Sequence, residues 1–484
     1  MKFLLLGLFL TAACAAPRAA SQDAAIAELL AADRAFYADT AARGLDGWMA
    51  LMAKDAVRLD LFGEFQQGRS AIQAVDEGLF ANPDAHLEWE PRGAAIFDDL
   101  RTGMTHGAYT FSLDKAVLAR GVYLTLWRRG AAGRWEVILD TGAPRPAEER
   151  HARWTEERAG DWYSLQPWLV GCNFLPSTAS NQLEMWQAET WDPATIEREL
   201  TWAARLGMNT VRTYLHDLAW QADPEGFKQR LDQFLSIAAA QGIRPTLVLF
   251  DDCWNDDPRS GPQPEPRPGV HNSCWVRSPG SRATLDPTQW LRLENYVSDV
   301  VGQFAADDRV LMWDLYNEPG NSGMGLKSLP LLRAAFAWAR AAGPSQPLTA
   351  GLWTGGGDYD ELNAEQARLS DVISFHNYNG ADDLRAQIAG LRAYHRPLIC
   401  TEWLRRGSSE VATSLAVFAS EGVGCLNWGL VRGRSNTVFP WGSPEGTPVP
   451  ARWFHDLLEP DGRPHDLEEV QWFREFTARV RNAE

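Results

Sequence analysis

Two acidic residues stand at the ends of apolar runs, where packing offers them little. Val310-Leu-Met-Trp-Asp-Leu-Tyr-Asn-Glu-Pro319 is nearly all apolar until it stops on Asn317, Glu318 and Pro319. Such a run reads as a strand covered on both faces. A second run, Pro397-Leu-Ile-Cys-Thr-Glu-Trp403, carries Glu402 at its tip. A carboxyl at the end of a buried strand is poorly placed for packing and well placed for chemistry at the carboxyl rim of a parallel barrel. Two such groups suit the cleavage of a glycosidic bond. One protonates the departing oxygen and the other supplies negative charge beneath the anomeric carbon, with the carboxyl groups about 5–5.5 Å apart when configuration is retained. Glu402 would attack in its ionised form. Glu318 would start protonated, so burial and the neighbouring carboxylate are expected to raise its pKa. It would then turn base and activate water.

Holding these groups takes a framework of alternating strands and helices. From Trp168 onward eight candidate strands follow one another, at 169–174, 210–215, 244–250, 311–317, 348–353, 372–376, 398–402 and 425–430. Helical runs separate them, among them 193–206, with Pro193 in its first turn after Asp192, and 226–241, ending on Gly242. Eight strands in about 300 residues is what a TIM (β/α)8 barrel requires. The longest irregular stretch, 251–286, is rich in Pro and Gly, as loops that cover or line a site often are. Ahead of the barrel, residues 21–145 read as an α+β domain, with helices first and a curled antiparallel sheet after. Its helices are expected at 22–42, 45–53 and 70–79, and its strands at 57–62, 86–97, 102–112, 121–129 and 134–140. Residues 146–166 are polar and charged and read as a linker, although 148–158 contains no helix breaker.

The barrel sequence resembles the retaining β-glycoside hydrolases of clan A, nearest glycoside hydrolase family 5, the cellulase and mannanase family. The resemblance spans about residues 168–480 and rests on five strand ends in order: Arg212 in Asn-Thr-Val-Arg-Thr-Tyr214, Asn317-Glu318-Pro319, His376-Asn377-Tyr378, Glu402, and Trp428 in Leu-Asn-Trp-Gly429. It implies that Glu318 is the acid/base and Glu402 the nucleophile of a double displacement. Arg212 and Tyr378 would donate hydrogen bonds that favour the nucleophile's anion. Asn317 would reach the sugar 2-hydroxyl, His376 would line the site, and Trp428 would form a flat floor for a pyranose. The family usually has a histidine just after strand three, where this chain has Asp251-Asp252-Cys253-Trp254. Asp251 and Asp252 either meet sugar hydroxyls or cap a loop, and Trp254, Trp275, Trp353 and Trp441 are sugar-stacking candidates. The front domain is similar to the nuclear-transport-factor-2-like (NTF2-like, SnoaL-like) cones, on element order alone. That similarity implies an accessory or dimerisation domain, with a homodimer formed through it. Asp55, Asp60 and His106 are its polar residues in or near strands.

Composition narrows the partners. A net charge of −17 disfavours nucleic acid and anionic membrane surfaces, and no run after the first residues is long enough to span a bilayer. Residues 1–20 have the look of a signal peptide, Met1-Lys2 followed by an apolar run and small residues. Cys14 also resembles a lipoprotein box, so two fates stay open: cleavage, or lipidation at Cys14 as the sole membrane attachment. Either predicts a secreted, periplasmic or envelope-anchored protein. The other five cysteines match no zinc spacing. Cys253 and Cys274 flank one loop and are able to pair, whereas Cys172, Cys400 and Cys425 fall in apolar strands and read as buried thiols. Gly355-Gly-Gly357 lacks the Lys-Ser/Thr of a phosphate loop, and no calcium-loop spacing occurs, so neither metal nor cofactor is expected. The expected partner is a β-linked carbohydrate. Two other readings remain: a non-catalytic carbohydrate-binding protein on a hydrolase-like barrel, and an activity located in the cone domain.

Overall fold

A computed structural model describes residues 16–59, 65–82, 85–97, 100–113, 116–130, 133–144 and 152–481. Most of the signal segment, Cys14 included, and Asp60 lie outside them. The chain divides into two units, Met1–Glu148 and Glu149–Glu484. Among the described residues no helix is long and apolar enough to cross a membrane.

The first unit contains helices α1 (Ala16–Arg43), α2 (Leu45–Ala50) and α3 (Arg69–Phe80), and strands β1 (Met52–Leu59), β2 (Phe65–Gln67), β3 (Ala85–Ile96), β4 (Thr102–Leu113), β5 (Ala116–Arg129) and β6 (Trp135–Pro144). The strands form one sheet in the order β2-β1-β6-β5-β4-β3. Bulges bend β3, β5 and β6, and α1 packs on β3 and β4, giving the α+β cone that the resemblance implies. Two expectations are corrected. The sheet is mixed, because β1 lies beside the last strand of the meander and runs parallel to it, with Val57 opposite Leu139. The helix expected over 45–53 stops at Ala50, since Met52 and Ala53 already sit buried in β1; short apolar runs do not distinguish helix from strand. Several of the 22 tryptophans are used here. Phe36 stacks on Trp48 at 5.1 Å and meets Trp89 edge-on at 5.2 Å. Buried Asp33 accepts from Trp89 Nε1 and from the Tyr123 hydroxyl, both at 2.8 Å, and Asp76 accepts from Trp48 Nε1 at 2.7 Å. By contrast Asp55 is exposed and paired with Arg128, and His106 is also exposed.

The second unit is a barrel of eight parallel strands: β7 (Val170–Asn173), β8 (Thr210–Tyr214), β9 (Arg244–Asp251), β10 (Met312–Asn317), β11 (Leu348–Thr349), β12 (Ile373–His376), β13 (Leu398–Trp403) and β14 (Gly424–Trp428). Each falls within its expected run or a residue or two from it. The exception is β11, which keeps two ladder residues of the six expected and then meets β12 through a bridge between Leu352 and Phe375 that closes the ring. Helix starts follow the sequence signals. The Asp192 side chain accepts from Thr195 N at 3.1 Å, with Pro193 in the first turn.

The segment expected to be a linker is in large part the floor of the barrel. Helix α4 (Glu156–Ser164) is capped by Thr155, and its Trp162 and Tyr163 pack on Leu169, Leu311, Met312, Val372, Ile399 and Leu426 at the strands' N-terminal ends. Trp154 N donates to Asp371 at 2.7 Å, and Arg396 donates to the Trp154 carbonyl at 2.7 Å. Charged residues dominate the segment and hide the few aromatic side chains that bind it. Trp154→Ala, which empties a site only 5% exposed, should lower the unfolding free energy by about 3–5 kcal/mol in a urea titration. Turnover per folded molecule should not change, since Trp154 lies at the barrel end away from the strand tips.

Candidate active site

Glu402 is aimed by a backbone irregularity. Along β13, Phe375 pairs with Cys400 but His376 pairs with Glu402, and on the other side the register slips again before Trp403. This bulge at 401–402 turns the Glu402 side chain into the barrel mouth, as bulges beside active sites often do. Its Oε1 accepts from Arg212 Nη1 and the Tyr214 hydroxyl, both at 2.8 Å, and its Oε2 accepts from the Tyr378 hydroxyl at 2.7 Å. Three donors thus converge on one buried carboxyl group.

Arg212 is the hub of this set. It is fully buried and donates through Nε to Asp314 at 2.9 Å, through Nη1 to Asn173 at 2.9 Å and to Tyr214, and through Nη2 to Asn317 at 2.6 Å. Burial works against its charge, and Tyr214, Asp314 and Glu402 around it more than offset that, so its pKa lies well above the usual guanidinium value. Asn317 continues the chain of bonds by donating to Asp251 at 2.9 Å. Its remaining N–H faces only Cys253 Sγ, at 3.4 Å, a weak acceptor that a sugar hydroxyl would replace.

Glu318 follows β10 with a φ of +44°, a left-handed conformation that costs a non-glycine residue about 1–3 kcal/mol. Three side chains hold it there: His376 Nδ1 lies 2.7 Å from Oε1, Cys253 Sγ donates to Oε2 at 3.1 Å, and Asn321 Nδ2 donates to the same oxygen. The His376 ring fits because Gly351 has no side chain; a Cβ there would lie 3.0 Å from Nε2. The imidazole stands between the two acids, with Nδ1 also 3.6 Å from Glu402 Oε2. One oxygen of Glu318, one of Glu402 and one His376 nitrogen all lie within 4.8 Å of one another.

The expected upward shift of the Glu318 pKa is corrected. Burial does push it up, but the His376 hydrogen bond and charge outweigh burial, and Cys253 and Asn321 add to them, leaving the carboxyl below its usual value. An imidazole in direct contact was not part of the expectation.

These groups open onto a cleft of about 1250 Å³ lined by Asn317, Glu318, His376, Tyr378, Glu402 and Trp428, among others. Trp254, Trp275, Trp353 and Trp441 line it too. Arg212 lies beneath it as support. A sugar-contacting role for Asp251 and Asp252 is corrected. Both are buried and fully engaged: Asp251 accepts from Asn317, Cys253 N, Trp275 Nε1 and Gln182, and Asp252 accepts from Tyr316, Gly320 N and Ser328. Burial pushes Asp251 up to about 7 and Asp252 up to about 6, with these donors opposing it. The pairing open to Cys253 and Cys274 does not occur. All five described cysteines are free and buried; Cys253 Sγ points at Glu318, and Cys274 Sγ lies 3.3 Å from the Pro264 carbonyl. Sequence reading missed Tyr214, Asn321, Cys253, Asp314 and Asn173 as members of this site. Tyr214 was within reach, since it shares a strand face with Arg212 two residues away. Asp314 was as well, as a carboxylate in the middle of an apolar strand.

Comparison with known proteins gives the family. Residues 173–432 match the family Cellulase (glycosyl hydrolase family 5), and the chain belongs to that family. Among solved structures it is similar to the GH5_18 protein of Streptomyces cattleya in complex with GlcNAc, at 14% identity and a TM-score of 0.49, over 66% of this chain and 82% of that one. It is also similar to the exo-β-1,4-mannosidase of Opitutaceae bacterium strain TAV5, at 17% identity and a TM-score of 0.46, over 65% and 60% of the two chains. The front unit is similar to an NTF2-like protein of Pseudomonas putida KT2440, at 18% identity and a TM-score of 0.23, over 26% of this chain and 91% of that one. No curated protein matches the chain.

His376→Ala removes the largest of the contributions that hold the Glu318 pKa down and leaves burial opposed only by the Cys253 and Asn321 hydrogen bonds. The pKa should then rise, and the basic limb of kcat/KM against pH should move to higher pH by about 1–3 units. Measuring that profile on an aryl β-glycoside checks the sign; a limb that stays put or moves to lower pH contradicts it.

Proposed function

We propose that the barrel is a retaining glycoside hydrolase acting on β-linked oligo- or polysaccharides by double displacement. The single observation that carries this reading is the approach of Glu318 and Glu402 oxygens to within 4.8 Å, near the separation that retention needs and too close for an interposed water of the inverting kind.

In the first step the Glu402 carboxylate attacks the anomeric carbon while the bond to the leaving oxygen breaks. That oxygen takes a proton from Glu318. Arg212 and Tyr214 grip Oε1 of the nucleophile, leaving Oε2, which bears the single Tyr378 donor, as the attacking atom. In the second step Glu318, now ionised, removes a proton from water, and the water oxygen displaces Glu402. The close contact with His376 supplies a second base on which the acid/base proton can rest between turnovers, after water has returned it and before the next leaving oxygen takes it. Removing the general acid typically costs about 10²–10⁴ in rate.

Glu402→Ala should cut kcat by about 10⁴-fold or more while sugar binding persists. Glu318→Ala should slow substrates with poor leaving groups far more than activated aryl glycosides, which need little proton donation. An NMR time course should show the product with retained anomeric configuration first; first appearance of the inverted anomer would sink the nucleophile assignment. A protein that binds sugar without any turnover to lose would instead be the non-catalytic carbohydrate binder. Activity that survives both substitutions would move the chemistry to the front domain.

A further inference from the structure

The two sides of the acid pair are built differently, and the chemistry says which side is which. The leaving group departs past Glu318, so the aglycone lies toward β11 and β12, beyond the acid/base. The sugar that Glu402 attacks lies on the other side, over Trp428 and toward Trp275. On the aglycone side the cleft is open and carries half-buried Trp353 and exposed Tyr394 as stacking surfaces. On the glycon side it ends in a wall.

That wall has three parts. Trp275 and Trp428 lie against each other at 5.6 Å, and Tyr214 meets their edges at 5.0 and 5.9 Å. Behind them lies a void of about 20 Å³, room for about one water and none for a second sugar ring. An arc of rings closes the side: Trp254 on His271 at 5.4 Å, His271 on His455 at 5.3 Å, His455 on Trp441 at 5.8 Å, and Trp441 on Tyr378 at 4.9 Å. The arc therefore ends on the residue that donates to the nucleophile. The loops that carry it are locked together. Asn272 N donates to the Ser435 carbonyl at 2.9 Å, Gly446 N to the Pro268 carbonyl at 2.8 Å, and Ser443 Oγ to the Gly269 carbonyl at 2.7 Å. At Gly269, φ +77°, a Cβ would lie 2.5 Å from the Thr447 carbonyl oxygen, so the strand-three and strand-eight loops touch backbone to backbone. Asn181, after β7, donates to the Cys274 carbonyl at 2.8 Å and fastens the third loop of that rim. Among the described residues, the loops after β7 and β8 contribute no side chain to the cleft.

We propose that this barrel holds one sugar ring on the glycon side and acts as an exo-glycosidase, releasing single residues from the non-reducing end of β-linked oligosaccharides whose remainder lies over Trp353 and Tyr394. The proposal rests on the hydrolase reading above and adds direction and product size to it.

The test compares 4-nitrophenyl β-monosides with the corresponding β-1,4-linked 4-nitrophenyl biosides of mannose, glucose and xylose. It also follows borohydride-reduced β-1,4 pentasaccharides of the same sugars at low conversion. For the accepted sugar, nitrophenol release should be about 100-fold more efficient in kcat/KM from the monoside than from the bioside, because the second ring meets the wall. The reduced pentasaccharide should yield the monosaccharide and the tetrasaccharide alditol as first products. Trp441→Ala opens an exposed part of the arc and should narrow the monoside-to-bioside ratio by about tenfold. Early di- and trisaccharides, or nitrophenol released together with an intact disaccharide from the bioside as efficiently as from the monoside, would overturn exo action while leaving the hydrolase standing. A ratio unchanged in the Trp441 variant would overturn the role given to the arc. No nitrophenol from any member of the panel, in the wild type and in Glu402→Ala alike, would remove the hydrolase reading and this one with it.

Discussion

A buried cation organises this molecule's working end. Arg212 has no exposure to solvent, and two carboxylates, Asp314 and Glu402, share its charge in a medium where an unpaired ion is very unfavourable. Its planar fork reaches β7, β10 and β13 at once, through Asn173, Asp314, Asn317 and Glu402. Glu402 therefore has its cationic partner built into the barrel wall. Taking away the guanidinium would strand two buried acids, so the arginine's place in the fold and its place in the candidate site are one requirement.

Around that hub, polar groups are arranged in layers that face inward. Asp251 and Asp252, beside the third strand's end, hold Asn317, Trp275, Tyr316 and the backbone of Gly320. They shape the mouth without touching its contents. Cys253 lies between Asn317 and Glu318, with its sulfur within reach of both. Its thiol is pushed far up by burial, so it acts here as a neutral donor to Glu318 rather than as a thiolate. The long strand-three loop closes over this layer and meets the strand-eight loop, which turns a groove into a blind end on one side.

Glu318 is the clearest case of an environment that residue types alone did not predict. Two carboxylates near each other and burial both argue for a raised Glu318 pKa, and both are present. The deciding contribution is a histidine from β12 placed 2.7 Å away, across a gap that exists because residue 351 is a glycine. Sequence adjacency connects none of these three positions. Similarly, the Glu402 side chain faces the cleft through a slip in strand register that carries no mark in the composition of β13.

What the sequence determined by itself was periodic and local. Alternating apolar runs and capped helices specify the eight-strand barrel to within a residue or two for most strands, because burial on both faces leaves few other residue types admissible there. Acids and amides at strand tips identify the candidate site, because nothing in packing requires them. Tertiary structure decided what depends on distance between remote segments. It made the polar 153–164 stretch a barrel floor, buried Asp251 and Asp252, left Cys253 and Cys274 apart, ran β1 parallel to β6, and reversed the sign of the Glu318 shift. Each of these is a contact energy between residues far apart in the chain, and such energies exist only once the fold has brought the partners together.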